Sequence, residues 1–558
     1  MKTLFYFLIL ALCSSLSNAQ NSLKGQIKDK KSNEIIIGAK IILKGTNQGA
    51  ISDAEGFFQI QNIKNGKNII TCNVHGYETY EDTFLFPLSN NETIEILLIP
   101  LVEDLEEITV EGTRSNRSIE NTPTRVEVLT EEIDEASTMD PSKIAHLLTH
   151  STGIQVQQTS ATNNTANVRI QGLDGRYAQI LKDGFPIYGG FSGSLSIMQI
   201  PPLDLRQVEY IKGSASTLYG GGAISGLINL ISKDPSKEES LIHVNASHIG
   251  AFDVNVYTSK RINKIGYTLL AQRNSHKFFD ADNDGFSDLP QLTKYNFNPK
   301  VFFYFNEKSK MYVGATFTNE IREGGDVKLL NNQFSDSTHF YKEKNSVNRI
   351  TTQIKFDYQI NKNNLLTFRN SFNIFNRSLE LTASNISEQY RFAGNQLSTF
   401  SEFSFSNTHE KNVFTSGINI YSDDFREQKL YDIALRNESY QTLGAFAQYT
   451  RDLGKIISIE AGVRSDYVMN RKVYVLPRLY TLFKWTSKLT SRIGGGLGYR
   501  NPTIFNQESE LLGYKNVLRI DKSKLKAEES YGTSADIGFK TKIGENFFLN
   551  INQMFFYT

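Results

Sequence analysis

Gln207-Val208-Glu209-Tyr210-Ile211-Lys212-Gly213-Ser214-Ala215-Ser216-Thr217-Leu218-Tyr219-Gly220 sets a strand-forming run against a turn of small residues. A second apolar run, Gly226-Leu227-Ile228-Asn229-Leu230-Ile231, closes the segment. Between them Gly220-Gly221-Gly222 invites a phosphate-binding reading. It lacks the Gly-Lys-Ser/Thr of a phosphate loop, however, and its spacing misses a dinucleotide fingerprint. These glycines are read instead as tight turns and close backbone approaches. Upstream, in order, stand Pro123-Thr124-Arg125-Val126-Glu127-Val128-Leu129, a helix predicted over 133–148, Thr152-Gly153-Ile154-Gln155-Val156, Val168-Arg169-Ile170-Gln171-Gly172-Leu173 and Ile180-Leu181-Lys182-Asp183-Gly184-Phe185-Pro186.

In this order and spacing the blocks resemble the plug domain of TonB-dependent outer-membrane receptors, over residues 118–233. The departures are Gln171, where the family often has Arg, and Lys182, where an apolar residue is common. A plug has to fit inside a barrel. Arg169, Arg206 and Lys212 are therefore candidates for charge-assisted bonds to acidic residues of the barrel wall, the alternative being an ordinary solvated surface. Gln157, Gln158, Ser160, Tyr188 and Phe191, on two plug loops, are candidates for ligand contact.

Just before the plug, in a linker over 101–117, stands Glu107-Ile108-Thr109-Val110-Glu111-Gly112-Thr113, at the position of the family's TonB box. The β-branched residues favour extended backbone, while the carboxylates and Gly112 discourage burial. Such a segment can add a strand to a partner's sheet edge, although a plain linker would look the same. Farther upstream, residues 20–100 alternate short β-rich runs with Gly, Asn and Asp turns, which predicts a small β-sandwich. Gly38-Ala39, Gly45-Thr46, Gly56-Phe57-Phe58 and Gly76-Tyr77 resemble the non-catalytic carboxypeptidase-regulatory-like domain at the front of many Bacteroidetes-type surface proteins. His75 and Glu78 have the spacing of a zinc pair, but they sit in that family's Gly-Tyr turn. Met1-Lys2-Thr3, an apolar block and Ser17-Asn18-Ala19 form a secretory signal peptide over 1–19. The mature chain then keeps one cysteine, Cys72, and no internal disulfide.

Downstream, residues 234–558 read as alternating strands about 10–14 residues long, the length a tilted outer-membrane strand requires. Ile350, Thr352, Ile354, Phe356 and Tyr358 form one face, and Thr351, Gln353, Lys355 and Asp357 the other. Short links such as Asn361-Lys362-Asn363 alternate with long ones, as in an antiparallel transmembrane barrel. Roughly fifteen strands are counted against about 22 in plugged transporters, so the expectation is a barrel truncated at its C-terminal side. The fold class expected is mainly β, combining an N-terminal sandwich, an α+β plug and this incomplete barrel.

Composition narrows function. Lys+Arg of 60 against Asp+Glu of 59 leaves a net charge of +1, which gives no footprint for nucleic acid. A mean hydropathy of -0.35 fits no helical membrane protein. His146 and His150 stand one helical turn apart, but Leu147 occupies the place where a zinc protease needs its Glu. No enzyme is expected. Asp280, Asp282, Asp284 and Asp288 alternate around Gly285, as in a Ca2+ loop, although an acidic solvated turn would share that pattern and no other cofactor is called for. The resemblance implies active import across the outer membrane of a Gram-negative cell, with the N-terminal domain in the periplasm. Its implied partners are TonB, with ExbB and ExbD at the inner membrane, outer-membrane lipid and a metal-chelate substrate. A ferric siderophore leads; cobalamin, haem or a glycan are alternatives, and a passive porin or adhesin is the rival from another class.

Overall fold

The computed structural model describes residues 21–558 except 31–33, 47, 75–76, 89–92, 100–109, 115–116, 140, 161, 334–337, 383–388, 410–411, 522–523 and 544–546. His75 therefore lies outside the described residues. The chain divides into two compact units, Met1–Ile108 and Thr109–Thr558.

The first unit is a sandwich of a three-stranded sheet, ordered Phe57–Ile63, Asn21–Asp29, Ile94–Leu98, and a four-stranded one, ordered Gly49–Ile51, Lys40–Leu43, Gly66–Asn73, Tyr80–Phe86. Leu23, Ile27, Ile41, Ile70 and Ile96 alternate inward and form its core. Cys72 is buried there, and that burial pushes its thiol up to about 11, so it packs as an inert apolar residue.

In the second unit, a five-stranded sheet is ordered Phe185–Tyr188, Ala178–Lys182, Gly226–Ser232, Leu205–Lys212, Val126–Leu129. Gly226–Ser232 is its buried centre, parallel to Ala178–Lys182 and antiparallel to Leu205–Lys212. The helix predicted over 133–148 is two, Glu132–Met139 and Ala145–Leu148. Pro141 accounts for the break, because it lacks an N–H and disfavours helical backbone in the residue before it.

Around this domain runs a fifteen-stranded antiparallel sheet in which each strand pairs with the next, from Glu239–Ala246 to Phe547–Tyr557. Among the described residues the first and last strands are not paired, which leaves an incomplete barrel. Strands reach 21 residues at Gln389–His409, longer than the sequence pattern predicts. No described helix is long and apolar enough to cross a membrane. The sheet is apolar on its open side and polar on its buried side: Ile418 and Val463 are 58% and 47% exposed, whereas Glu402 and Glu460 are each 1% exposed. A soluble sheet does the reverse.

The buried side grips the plug in good part with donors aimed at plug carbonyls. Lys294 Nζ donates to Met198 O at 3.1 Å, Arg322 Nη1 to Asn163 O at 3.0 Å, Arg478 Nε to Ser214 O at 2.7 Å and Arg492 Nε to Thr122 O at 3.1 Å. The expected pairing through Arg169, Arg206 and Lys212 is corrected accordingly. Arg206 pairs with Glu111 at 2.7 Å and Lys212 with Glu127, both within the plug and its leader. Arg169 lies half-buried in a plug hairpin, opposite Gln155. Among the described residues, the cations that do bridge plug or leader and wall include Arg114 to Glu402 at 2.8 Å, Arg117 to Asp452 at 2.6 Å, Lys300 to Asp183 at 2.5 Å, Lys540 to Glu120 at 3.3 Å and Arg176 to Glu528 at 4.0 Å.

One apolar contact joins plug, wall and a long link. Phe191 is 1% exposed, with ring centroids of Phe375, Phe392, Phe425 and Phe505 at 4.8–5.6 Å. Phe505 belongs to the link between Leu489–Arg500 and Glu528–Ile543, which folds inward and sets Glu510 on buried Arg377. Phe191 is thus an anchor, not a ligand-facing residue. Replacing Phe191 by Ala should destabilise the docked plug by about 3–5 kcal/mol, seen as a lower thermal midpoint of the detergent-solubilised protein; an unchanged midpoint would contradict this packing role.

Candidate functional site

Two features of the second unit can do chemistry or recognition. The first is a cavity of about 230 Å3, at the end of the sheet that carries the long links. The plug contributes Gln179, Gly189, Gly190 and Tyr219 to Gly222, and the sheet contributes Asp423, Glu438, Tyr440, Arg464, Asp466, Tyr499 and Arg500. Here the glycine triplet finds its reason: a Cβ on Gly221 would overlap the Tyr499 ring, and Gly220 holds a φ of +91° beside Arg464. Arg464 pairs with Asp466 at 2.7 Å, and Asp466 accepts from Tyr499 Oη at 3.1 Å. Glu438 accepts from Thr503 Oγ1 and Ile504 N, both at 2.7 Å, while Asp423 accepts from Gln396 Nε2 at 2.6 Å. The lining is therefore aromatic and hydrogen-bonding, with three carboxylates against two guanidinium groups.

Of the candidate ligand residues, Gln157, Gln158, Ser160 and Phe191 do not line this cavity. Gln157 and Gln158 are exposed on a hairpin strand, and Ser160 bonds the Thr162 hydroxyl at 3.0 Å. Tyr188 ends the strand Phe185–Tyr188, next to the lining Gly189. The wall residues escaped sequence reading because four separate strands bring them together. The plug's share, Tyr219 to Gly222, stood in the stretch that revealed the plug.

The second feature is the end of the leader. Glu107, Ile108 and Thr109 lie outside the described residues; Val110, Glu111, Gly112 and Thr113 form a turn, not the extended, unburied segment expected. Val110 is fully buried and Thr113 nearly so. The backbone N–H groups of Glu111 and Gly112 donate to Glu209 Oε1 and Oε2, each at 2.7 Å. Tyr219 Oη donates to Gly112 O at 2.7 Å. A carboxylate that satisfies two adjacent amides, and a hydroxyl that satisfies the carbonyl following them, outweigh the local extended preference. A Cβ at 112 would stand 2.8 Å from Glu209 Oε2 and 3.2 Å from Ile211 Cδ1, so a larger residue there would have to push the Glu209 carboxylate aside.

Glu209 also accepts from Gln207 Nε2 at 2.7 Å and Asn229 Nδ2 at 3.0 Å, all neutral donors. Burial, aided by nearby Glu111, pushes its carboxyl up to about 7 against those bonds.

Elsewhere, Asp280, Asp282 and Asp288 bring one carboxylate oxygen each within 4.8 Å of one another. Asp284 is not in that group and instead accepts from Phe286 N at 2.8 Å. His146 and His150 are exposed, with ring centroids 4.9 Å apart.

A plug of irregular backbone held by the polar face of an outward-apolar antiparallel sheet defines a plugged outer-membrane β-barrel. Residues 118–227 match the TonB-dependent Receptor Plug Domain family, and residues 23–110 match the CarboxypepD_reg-like domain. The chain is a TonB-dependent receptor of the outer membrane, of the type with that N-terminal domain. Among curated proteins it is similar to the vitamin B12 transporter BtuB of Vibrio cholerae, at 28% identity over 134 residues, which is 24% of this chain and 22% of that protein. It is also similar to TonB-dependent receptor P3 of Formosa agariphila, at 22% identity over 250 residues, 44% of this chain and 24% of that one. The matches thus span about a quarter of those relatives' length. Its fold is that of the ferric enterobactin receptor PfeA of Pseudomonas aeruginosa (TM-score 0.62, 14% identity, 80% of this chain and 72% of that one). The siderophore receptor PirA of Acinetobacter baumannii shares it too (TM-score 0.61, 16% identity, 80% and 71%). These relatives are transporters and receptors.

The Glu209 contact carries a sign for pH. Its carboxyl lies near 7 when folded against an ordinary 4.5, so the folded state binds the proton more tightly. The stabilisation from that proton is complete below about pH 4.5 and is lost as pH rises through about 7. Relative to Glu209→Gln, the wild-type protein should lose up to about 1.4 kcal/mol per pH unit between these limits, measured from urea midpoints; parallel pH profiles would show that Glu209 is not the titrating group.

Proposed function

We propose that this receptor actively imports a scarce nutrient across the outer membrane, with a ferric siderophore first among its cargoes and cobalamin, haem or a glycan as alternatives. The observation that carries the reading is the leader turn buried on Glu209, directly before a plug that fills the sheet's polar side. A passive pore has no use for either. Cargo would settle in the cavity between plug and wall, TonB would engage the 107–113 segment, and the inner-membrane gradient acting through ExbB and ExbD would supply the work. The similar proteins, a vitamin B12 transporter, a ferric enterobactin receptor and a siderophore receptor, support this cargo class.

No catalytic residue is assigned. The three clustered carboxylates, Asp280, Asp282 and Asp288, are proposed to take a Ca2+ ion through oxygen ligands, with Asp284 outside the set. Millimolar CaCl2 should then raise the thermal midpoint of wild-type protein and leave Asp282→Asn unmoved; equal shifts would assign the effect to ordinary ionic strength.

Disrupting the full-length gene should slow growth when ferric siderophore or cobalamin is the sole iron or cobalamin source. Deleting Glu107 to Thr113 should abolish uptake while the receptor still reaches the outer membrane. Uptake that survives the deletion would favour the passive barrel.

A further inference from the structure

The cavity and the leader turn share one side chain. Tyr219 closes the short helix Ser216–Tyr219, and the next residue, Gly220, turns the chain back along the cavity. Among the described residues lining the cavity, Tyr219 is the one that also lines the narrow cleft beside Gly112 and Thr113. Its hydroxyl donates to Gly112 O at 2.7 Å, and its ring carries the Arg114 guanidinium 4.9 Å from the centroid. Arg114 in turn pairs with Glu402 of the wall at 2.8 Å.

We propose that Tyr219 is a positioning residue that couples occupancy of the cavity to release of the leader turn. The proposal rests on the importer reading for its purpose, but its geometry stands by itself. Gly112 is held from two sides, its N–H by Glu209 and its C=O by Tyr219. A hydrogen bond to a carbonyl weakens steeply once the donor moves beyond about 3.5 Å. A displacement of the Tyr219 ring by roughly 1 Å is therefore enough to free the carbonyl side. A solute packed against Gly220, Gly221 and Gly222 presses on the residue next to that ring. By linkage, a released turn must change the cavity's affinity for the solute by the same factor.

The turn carries its own reporter, since Arg114 and Arg117 are tryptic sites whose side chains are only 6% and 11% exposed. The full chain, purified in detergent, is treated with trypsin and cleavage after Arg114 or Arg117 is timed by mass spectrometry. Tyr219→Phe, which removes only the hydroxyl, should speed that cleavage about tenfold, the population shift expected from one lost hydrogen bond. Gly222→Trp serves as a built-in cavity filler, because a Cβ at 222 has no atom within 4 Å. It should speed cleavage in the wild-type background and add nothing in the Tyr219→Phe background. A wild-type cleavage rate in Tyr219→Phe overturns the proposal, as does a Gly222→Trp that leaves the wild-type rate unchanged. So does a Gly222→Trp effect that persists undiminished without the hydroxyl. Should Tyr219→Phe fail to fold, Gly222→Trp alone still decides, because coupling requires it to act in the wild type. None of these readouts contains a transport step, so failure of the importer reading would show in uptake assays and not here.

Discussion

Irregular backbone at membrane depth must find its hydrogen-bond partners within the protein, because lipid supplies none. The plug holds turns, short helices and a hairpin with many free carbonyls, and the wall answers with Lys294, Arg322, Arg478 and Arg492. Three of those side chains also pair with acids of the same wall, Arg322 with Glu320, Arg478 with Glu460 and Arg492 with Asp536. The wall therefore satisfies two needs at once, neutralising its own charges and completing the plug's backbone bonds. This explains why the polar face of the sheet is its buried one.

The same constraint shapes the leader turn. Glu209 stands in the strand Leu205–Lys212, among buried residues, with no cation bonded to it among the described residues; its acceptor capacity is taken by two backbone amides and two side-chain amides. A buried carboxylate satisfied only by neutral donors pays for its charge by a raised proton affinity, and so it is a softer anchor than the Arg114–Glu402 pair nearby. Strong and soft attachments thus lie side by side at the point where leader meets plug.

Much of this was legible in the sequence. Alternation of apolar and polar residues such as Ile350 and Thr351 reported the two-faced sheet directly, since strand geometry sends successive side chains to opposite sides. The ordered glycine blocks reported the plug. The direction of the plug-to-wall bonds was not legible: carbonyl groups are present at every residue, so a sequence shows the cations of the plug but not which backbone oxygens the wall's cations will seek. Arg206 and Lys212 were misassigned for that reason. The leader turn was misread as extended because its local preference is β, while the groups that bend it, Glu209 and Tyr219, lie about a hundred residues away. One signal was available: a lone carboxylate at 209 inside an otherwise apolar strand needs a partner. Pro141 likewise marked the helix break in plain view.

The inverted sheet also bears on how such a chain travels. Because apolar residues of the sheet occupy only every second position, no segment of its strands accumulates the unbroken oily stretch that a secretion channel would divert sideways into the inner membrane. Lipid-facing surface comes into existence only when strands pair and their alternate residues line up across neighbours. The polypeptide can therefore pass through one bilayer as an unremarkable polar thread and become insoluble in water only on reaching the other.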